Sequence, residues 1–499
     1  GFENYYMKDE ELTAARDKYE LTGYPYLNIG SEDFQTNSGK GSEYTSNSVF
    51  GRVIYSYADR YLFQANIRHD GSSRFAKGYR WGTFPSFSAG WVMSEEKFMK
   101  SLNWDWLSFL KLRGSWGILG NERIGDDYFP YIALMSFGNS LFYMADGSVV
   151  SDKTARPAIL AVEDITWETT TSTDFGLDAN FFNNRLQFHF DYYWKQTKDM
   201  LLKIEIPYFM GYNNPNTNAG KMSTHGYDIE LAWNDRIGDL QYGVNVNFSD
   251  FLSKIDYMND GEQISNGKIK RAGVLFNEYY GYVCDGIYQT QEEVNNSART
   301  STTVTVGDLK YRDISGPDGV PDGIISPEYD RVPLGNSLPR FQYGGTFNAS
   351  YKGIDFSIAF QGIGKQNSYL STAMVQPLRD NYGSVPSIIE GKYWSPFNTA
   401  EVNLSARSPR LSNVSKSNNY ATSSFWMFNG SYFRLKNLTL GYTLPETWTQ
   451  KAGIDRVRFY ISGSDLFCLS NFPDGWDPEM GASSYPITTS LVMGLQVNF

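Results

Sequence analysis

The sequence predicts an all-β protein, an antiparallel β-barrel that crosses a membrane. Three observations predict it. Segments of eight to twelve residues alternate apolar and polar side chains along most of the chain. No run of about 18 apolar residues is present to form a membrane helix. Connections between the segments are short and long by turns. A tilted strand needs about ten residues to cross the hydrocarbon core, whereas the modal strand of a soluble sheet has about five or six. In lipid, only a helix or a closed barrel pairs every backbone N–H and C=O.

Composition agrees. Of 499 residues, 16% are aromatic (36 Tyr, 33 Phe, 12 Trp), and 46 are glycine. Many rings in a polar chain suit a sheet with one apolar and one polar face. The formal charge of −11 is spread along the chain and gives no basic footprint for nucleic acid. Cys284 and Cys468 are too few for a disulfide framework, and His69, His189 and His225 lack metal-ligand spacing.

In chain order, Tyr6–Tyr19 (YMKDEELTAARDKY) is rich in helix formers and charges. It predicts a short surface helix within an extracellular loop over residues 1–46. Period two then takes over. Val49, Gly51, Val53, Tyr55 and Tyr57 alternate with Phe50, Arg52, Ile54 and Ser56. In LQFHFDYYWK, Leu186, Phe188, Phe190, Tyr192 and Trp194 share one face, opposite Gln187, His189, Asp191, Tyr193 and Lys195. Similar segments start at Tyr61, Phe175, Tyr227, Leu240, Phe341, Ile354 and Val457, giving roughly thirteen strands over 47–499. In FRLKNLTLGYTL the apolar phase slips between Leu435 and Leu438, which predicts a β-bulge near Asn437. The chain closes on TSLVMGLQVNF, where Leu491, Met493, Leu495, Val497 and Phe499 should face lipid.

Tight connections fall near Ala58, Phe182, Asp235 and Lys352; long ones cover about 117–166, 198–222, 253–338, 363–430 and 466–488. Short turns on the periplasmic side and long loops outside are the outer-membrane pattern. One intermediate connection on the turn side, SEEKFMKSLNWDW, predicts a short helix.

Several segments resemble the SusC/RagA-like TonB-dependent transporters of Bacteroidetes outer membranes. They include DRYLFQANIRHDGSSRFAKGYRWGTFPSFSAGW (59–91), FLKLRGSWGILGN (109–121), GDLKYRDISG, SYFRLKNLTLGYTLP and WDPE from Trp476, in the family's order. The resemblance implies a 22-stranded barrel with an N-terminal plug domain, and a TonB box that couples it to the inner-membrane energising complex. It also implies a SusD-like surface lipoprotein as a lid, and oligosaccharide or, less favoured, peptide cargo. Set against it, this chain looks like the C-terminal part of such a barrel, with the plug and first strands absent. An open sheet edge in lipid would leave unpaired backbone groups, so these residues are expected not to fold alone.

No G-x-S-x-G elbow, H-E-x-x-H or phosphate loop is present, so no enzyme is expected. One loop, YRDISGPDGVPDGIISPEYDR, crowds Asp313, Asp318, Asp322 and Asp330 among glycines; it predicts either an oxygen cage for Ca²⁺ within 313–330 or a run of Asp-Gly turns. Tyr382, Trp394 and Trp426, in the loop 363–430, are candidate stacking platforms for cargo or packing residues of the loop itself. A plug-less porin and a soluble or surface carbohydrate-binding β-protein remain the rival readings.

Overall fold

The computed structural model describes all residues except 22, 25, 126, 260, 371–374, 378–384, 386–388 and 481–484. Fourteen antiparallel strands form its main sheet in strict sequence order. They are β1 (Phe2–Arg16), β2 (Gln35–Tyr57), β3 (Tyr61–Ser72), β4 (Trp81–Val92), β5 (Leu107–Asn121), β6 (Glu168–Phe181) and β7 (Leu186–Lys203). The rest are β8 (Asn216–Ile237), β9 (Leu240–Met258), β10 (Arg340–Tyr351), β11 (Ile354–Lys365), β12 (Tyr432–Thr443), β13 (Arg456–Ser470) and β14 (Ser490–Asn498).

The strand beyond the predicted thirteen is β1, where a helix was expected. All of Phe2–Arg16 pairs with Gln35–Val49. The charges that suggested a helix are cross-strand partners: Lys8 stands opposite Glu43, and Glu11 opposite Lys40 at 3.0 Å. A ladder of backbone hydrogen bonds outweighs helix preferences of a few tenths of a kcal/mol per residue. Residues 1–46 are therefore largely strand. Several strands also outrun the expected twelve residues, β2 reaching 23 and β8 reaching 22. A bilayer crossing uses only about ten, so these strands continue well into their loops.

Contacts divide the described chain into two units, Gly1–Gly90 with Gly114–Thr173 and Lys195–Met222, and Trp91–Arg113 with Asp174–Trp194 and Ser223–Phe499. The first has a small apolar core of Phe75, Phe84, Ile124, Ile165 and Trp167. It also carries a separate hairpin, Met135–Tyr143 with Val149–Pro157.

The second unit displays the two-faced sheet most fully. Across β9 to β14, one register row reads Val244, Phe347, Ile358, Leu438, Gly463, Leu491. The next row on that face reads Tyr242, Ala349, Phe356, Leu440, Ile461, Met493. Between them runs the other face, Gly243, Asn348, Ser357, Thr439, Ser462 and Val492. Leu491 and Met493 are 74% and 82% exposed, on the apolar face as the alternation predicts.

The expected bulge is present. Phe360 pairs with Leu435 but Ala359 with Asn437, leaving Lys436 as the extra residue. Leu435 and Leu438 thereby reach the same face despite their odd spacing. Lys436 Nζ bonds Asp465 Oδ1 at 2.7 Å, across the matching irregularity in β13.

Most junctions alternate short and long. One intermediate connection was expected on the turn side, but two occur there, 93–106 and 444–455, both longer than the loop-side junction 73–80. Lys352 and Gly353 take positive φ (47° and 86°) in a two-residue turn between β10 and β11, the backbone that a tight hairpin requires. The connection 93–106 holds a helix, Lys97–Ser101. The longest loops fold: Glu262–Ser265, Lys268–Arg271, Glu278–Tyr282 and Arg331–Asn336 form a four-stranded sheet.

A charge placed on the apolar face should be far costlier than one on the polar face. Leu438→Arg is expected to destabilise the barrel of the full-length protein by roughly 2–4 kcal/mol in lipid, and Thr439→Arg by under about 1 kcal/mol. Urea titration of the folded fraction, read by heat-modifiable gel mobility in vesicles, checks this.

Candidate functional site

Alternation directs the even positions of β8 and β10, the odd positions of β7, β9 and β11, and from β12 Tyr432 and Arg434 before the bulge and Asn437 and Thr439 after it, to one polar face. A cleft of about 1030 Å³ opens on that face. Asn245, Asn247, Gln342, Thr346 and Gln361 supply amides and a hydroxyl; His189, Asp191, Asp228, Glu230 and Lys436 supply charge; Tyr432 closes one end.

One side of the cleft rests on a charge cluster. Arg113 of β5 binds Asp191 through both terminal nitrogens (2.5 and 2.7 Å) and Asp178 through Nε (3.2 Å), with Asp174 at 3.7 Å. His189 Nδ1 lies 3.0 Å from Asp178 Oδ1. Gly176, between the two aspartates of β6, leaves the space that the guanidinium fills; a Cβ there would overlap it.

At the other end a loop returns onto the polar face. Arg434 of β12 is 2% exposed, and its Nη2 reaches both oxygens of Asp477 at 2.6 Å. Its Nε lies 3.0 Å from Glu479 Oε2 but off the N–H direction, so the charges meet without a hydrogen bond. Glu479 Oε1 accepts from the Tyr432 hydroxyl and from Gln361 Nε2 at 2.6 Å. These wall residues were missed in the sequence. The signals were two separate segments, SYFRLKNLTLGYTLP with Tyr432 and Arg434 and WDPE with Asp477 and Glu479, and nothing in the sequence joined them.

The loops between β9 and β10 and between β11 and β12 share a core of Tyr282, Leu309, Tyr311, Ile325, Tyr420 and Trp426. Fully buried Asp308 ties it together. Its carboxylate accepts from Arg410 Nε (2.7 Å), Ser415 Oγ (2.8 Å), Asn419 Nδ2 (2.9 Å) and Thr305 N (2.9 Å).

The predicted platforms belong to this packing. Trp426 is 2% exposed, stacks on Tyr420 at 5.7 Å and donates Nε1 to Asn419 O at 2.8 Å. Trp394, 8% exposed, lies against Gly307 and donates to Gln289 Oε1 at 3.1 Å. Neither offers a free ring face, so packing is the role the structure gives them; Tyr382 lies outside the described residues.

In the loop 313–330 the carboxylates accept from backbone N–H groups, and Asp313 Oδ1 is buried without a hydrogen-bond partner. Asp313 Oδ2 accepts from Gly323 N and Asp322 Oδ1 from Ile324 N (2.7 and 2.9 Å), while Asp318 joins neither. Asp330 accepts from the backbone of Ile314, Ser315 and Ser326. Among the described residues no three acidic, His or Cys side chains are placed to hold a metal ion as they stand. These carboxylates build turns. Both cysteines are free.

Residues 4–462 match the family described as TonB dependent receptor-like, beta-barrel. This chain belongs to that family. The TonB-dependent receptor SusC of Bacteroides thetaiotaomicron is 31% identical over 91% of the chain and 43% of its own length. TonB-dependent receptor P3 of Formosa agariphila is 30% identical over 91% of the chain and 45% of its own length. The structure of the RagAB peptide transporter shares the fold, with a TM-score of 0.78 at 23% identity, covering all of this chain and 53% of that one. The chain thus spans about half the length of the relatives it matches. It is a SusC-like receptor barrel of the outer membrane, whose apolar face meets lipid and whose polar face, with the cleft, is the inner wall.

Two outcomes follow for the receptor's loop core. Asp308→Ala strands the Arg410 guanidinium beside a cavity and should cost about 3–5 kcal/mol, as breaking a buried pair does; faster chymotrypsin cleavage within 259–339 and 366–431 would report it. Burial pushes the Tyr311 and Tyr420 phenols up, Asp308's charge adding for Tyr420, and raises the Cys284 thiol to about 11. Protons held more tightly when folded stabilise fully below the unfolded values, about 8.5 for thiols and 10 for phenols, and that stability is lost as pH rises through the folded ones. The loop core should therefore loosen above about pH 9, seen as faster chymotrypsin cleavage within 259–339 and 366–431 than at pH 8, corrected for the protease's own pH dependence on an unfolded substrate.

Proposed function

We propose that this barrel is part of a TonB-dependent importer of oligosaccharides, with peptides as the less favoured cargo. The observation that carries the proposal is the inner-wall cleft, with amides, hydroxyls and rings on neighbouring strands and space for an extended polar solute. Such groups bind many-hydroxyl cargo by numerous modest hydrogen bonds. The relative named TonB-dependent receptor SusC, at 31% identity, supports TonB-dependent transport, and the RagAB structure is that of a peptide transporter. A SusD-like lipoprotein would cover the outer opening, and coupling to TonB would energise transport. No enzymatic role is assigned.

Deleting the full gene should abolish growth on one class within a panel of purified glycans and peptides. Deleting TonB should produce the same defect; growth that survives loss of TonB would instead favour a passive porin. A deletion strain that grows normally on the whole panel would overturn the importer reading.

A further inference from the structure

The strongest unexplained arrangement is the seat of Glu479. Three donors from two wall strands converge on it: Tyr432 Oη, Gln361 Nε2 and, at charge-contact distance, Arg434 Nε. All three stand on the inner wall, and two of them line the cleft. The carboxylate comes from a separate loop, held in place by Asp477 Oδ1 accepting from Glu479 N at 2.9 Å.

The two acids on Arg434 are not equivalent. Asp477 takes both of its oxygens to Nη2 at 2.6 Å. Glu479 meets Nε off-axis, which leaves that buried N–H without a hydrogen bond. Charge-assisted bonds to a well-aligned carboxylate are about twice as strong as neutral ones, and a buried unsatisfied donor is costly. A free carboxylate in the same seat could reach the Nε–H that Glu479 misses. Both acids are reachable, the side chains of Glu479 and Asp477 being 21% and 23% exposed against 3% for Arg434, so it is the missing Nε hydrogen bond that makes Glu479 the exchangeable one. Exchanging one carboxylate for another keeps the net charge of the seat and avoids leaving Arg434 buried alone.

We propose that Gln361, Tyr432 and Arg434 form a carboxylate subsite of the inner wall, self-occupied by Glu479 when no cargo is present. Cargo bearing a carboxylate displaces Glu479 and loosens the segment around it, while Asp477 on Arg434 and the packing of Phe472 and Trp476 keep the segment attached. This deepens the importer reading and rests on it. The subsite selects a chemical group, which a peptide terminus and an acidic sugar share.

The test uses the full-length receptor in detergent, with Cys284 and Cys468 replaced by serine and a nitroxide on Asp474→Cys, an exposed position of that segment. Sodium acetate at constant ionic strength should shift the label's spectrum from its immobile to its mobile component, while acetamide should not. Glu479→Gln should produce the mobile component without acetate. Triglycine against triglycinamide, and glucuronate against glucose, identify which carboxylate source acts. Equal spectra in acetate and acetamide overturn the subsite, and they do so even where Glu479→Gln fails to assemble. The importer reading stands apart from this, since uptake of cargo in cells can persist without any acetate response. A deletion strain that grows normally on every glycan and peptide sinks that reading instead.

Discussion

Everything in this chain depends on one constraint: a sheet in lipid must pair its backbone within itself and turn opposite chemistries to its two faces. The register rows across β9 to β14 satisfy it, Ile358, Leu438 and Leu491 standing in one row and Ser357, Thr439 and Ser462 in the next. A one-residue slip would invert every side chain beyond it. Lys436 is that slip, and the bulge turns it into a local event. Its cost is contained because the displaced ammonium finds Asp465, so the irregularity delivers a paired charge to the polar wall and leaves the apolar face continuous.

The same constraint explains where the buried ions are. Charges cannot stand on the lipid face, so they gather on the inner wall and in the loops. There they work as pins. Arg113 draws β5, β6 and β7 together; Arg340 binds Asp250 across β9 and β10. Asp308 holds Arg410, 102 residues away, and Arg434 holds Asp477. Such pairs add little net stability over apolar packing, but breaking one is expensive. They therefore specify which loop lies where.

Much of this fold was legible because period two is a local signal. The bulge could be seen in the spacing of Leu435 and Leu438, and the turn helix in SEEKFMKSLNWDW. β1 was misread because helix propensity is also local, whereas the partners that overrode it, Glu43 and Lys40, lie beyond an 18-residue connection (17–34). The site was barely legible at all. Trp394 and Trp426 stood out as aromatics in a loop, yet a ring's type does not say which side of a loop core it joins. Arg434, Gln361 and Glu479 meet only after three strands and a loop have folded, and no spacing between them carries meaning.

The arrangement at Arg434 also bears on how a rigid wall could respond to cargo. The strands are held by continuous ladders, so cargo binding on the wall cannot move them cheaply. A loop held by side chains is different. Its attachment is a few hydrogen bonds to Glu479 and Asp477, each worth about 0.5–3 kcal/mol net, beside the packing of Phe472 and Trp476 on the loop core. A ligand shifts such a balance only through contacts that differ between the two states. Glu479 supplies that difference, because the same donors can serve the loop or the cargo but not both. Recognition and loop loosening are then one event, located where the cleft meets the outer loops.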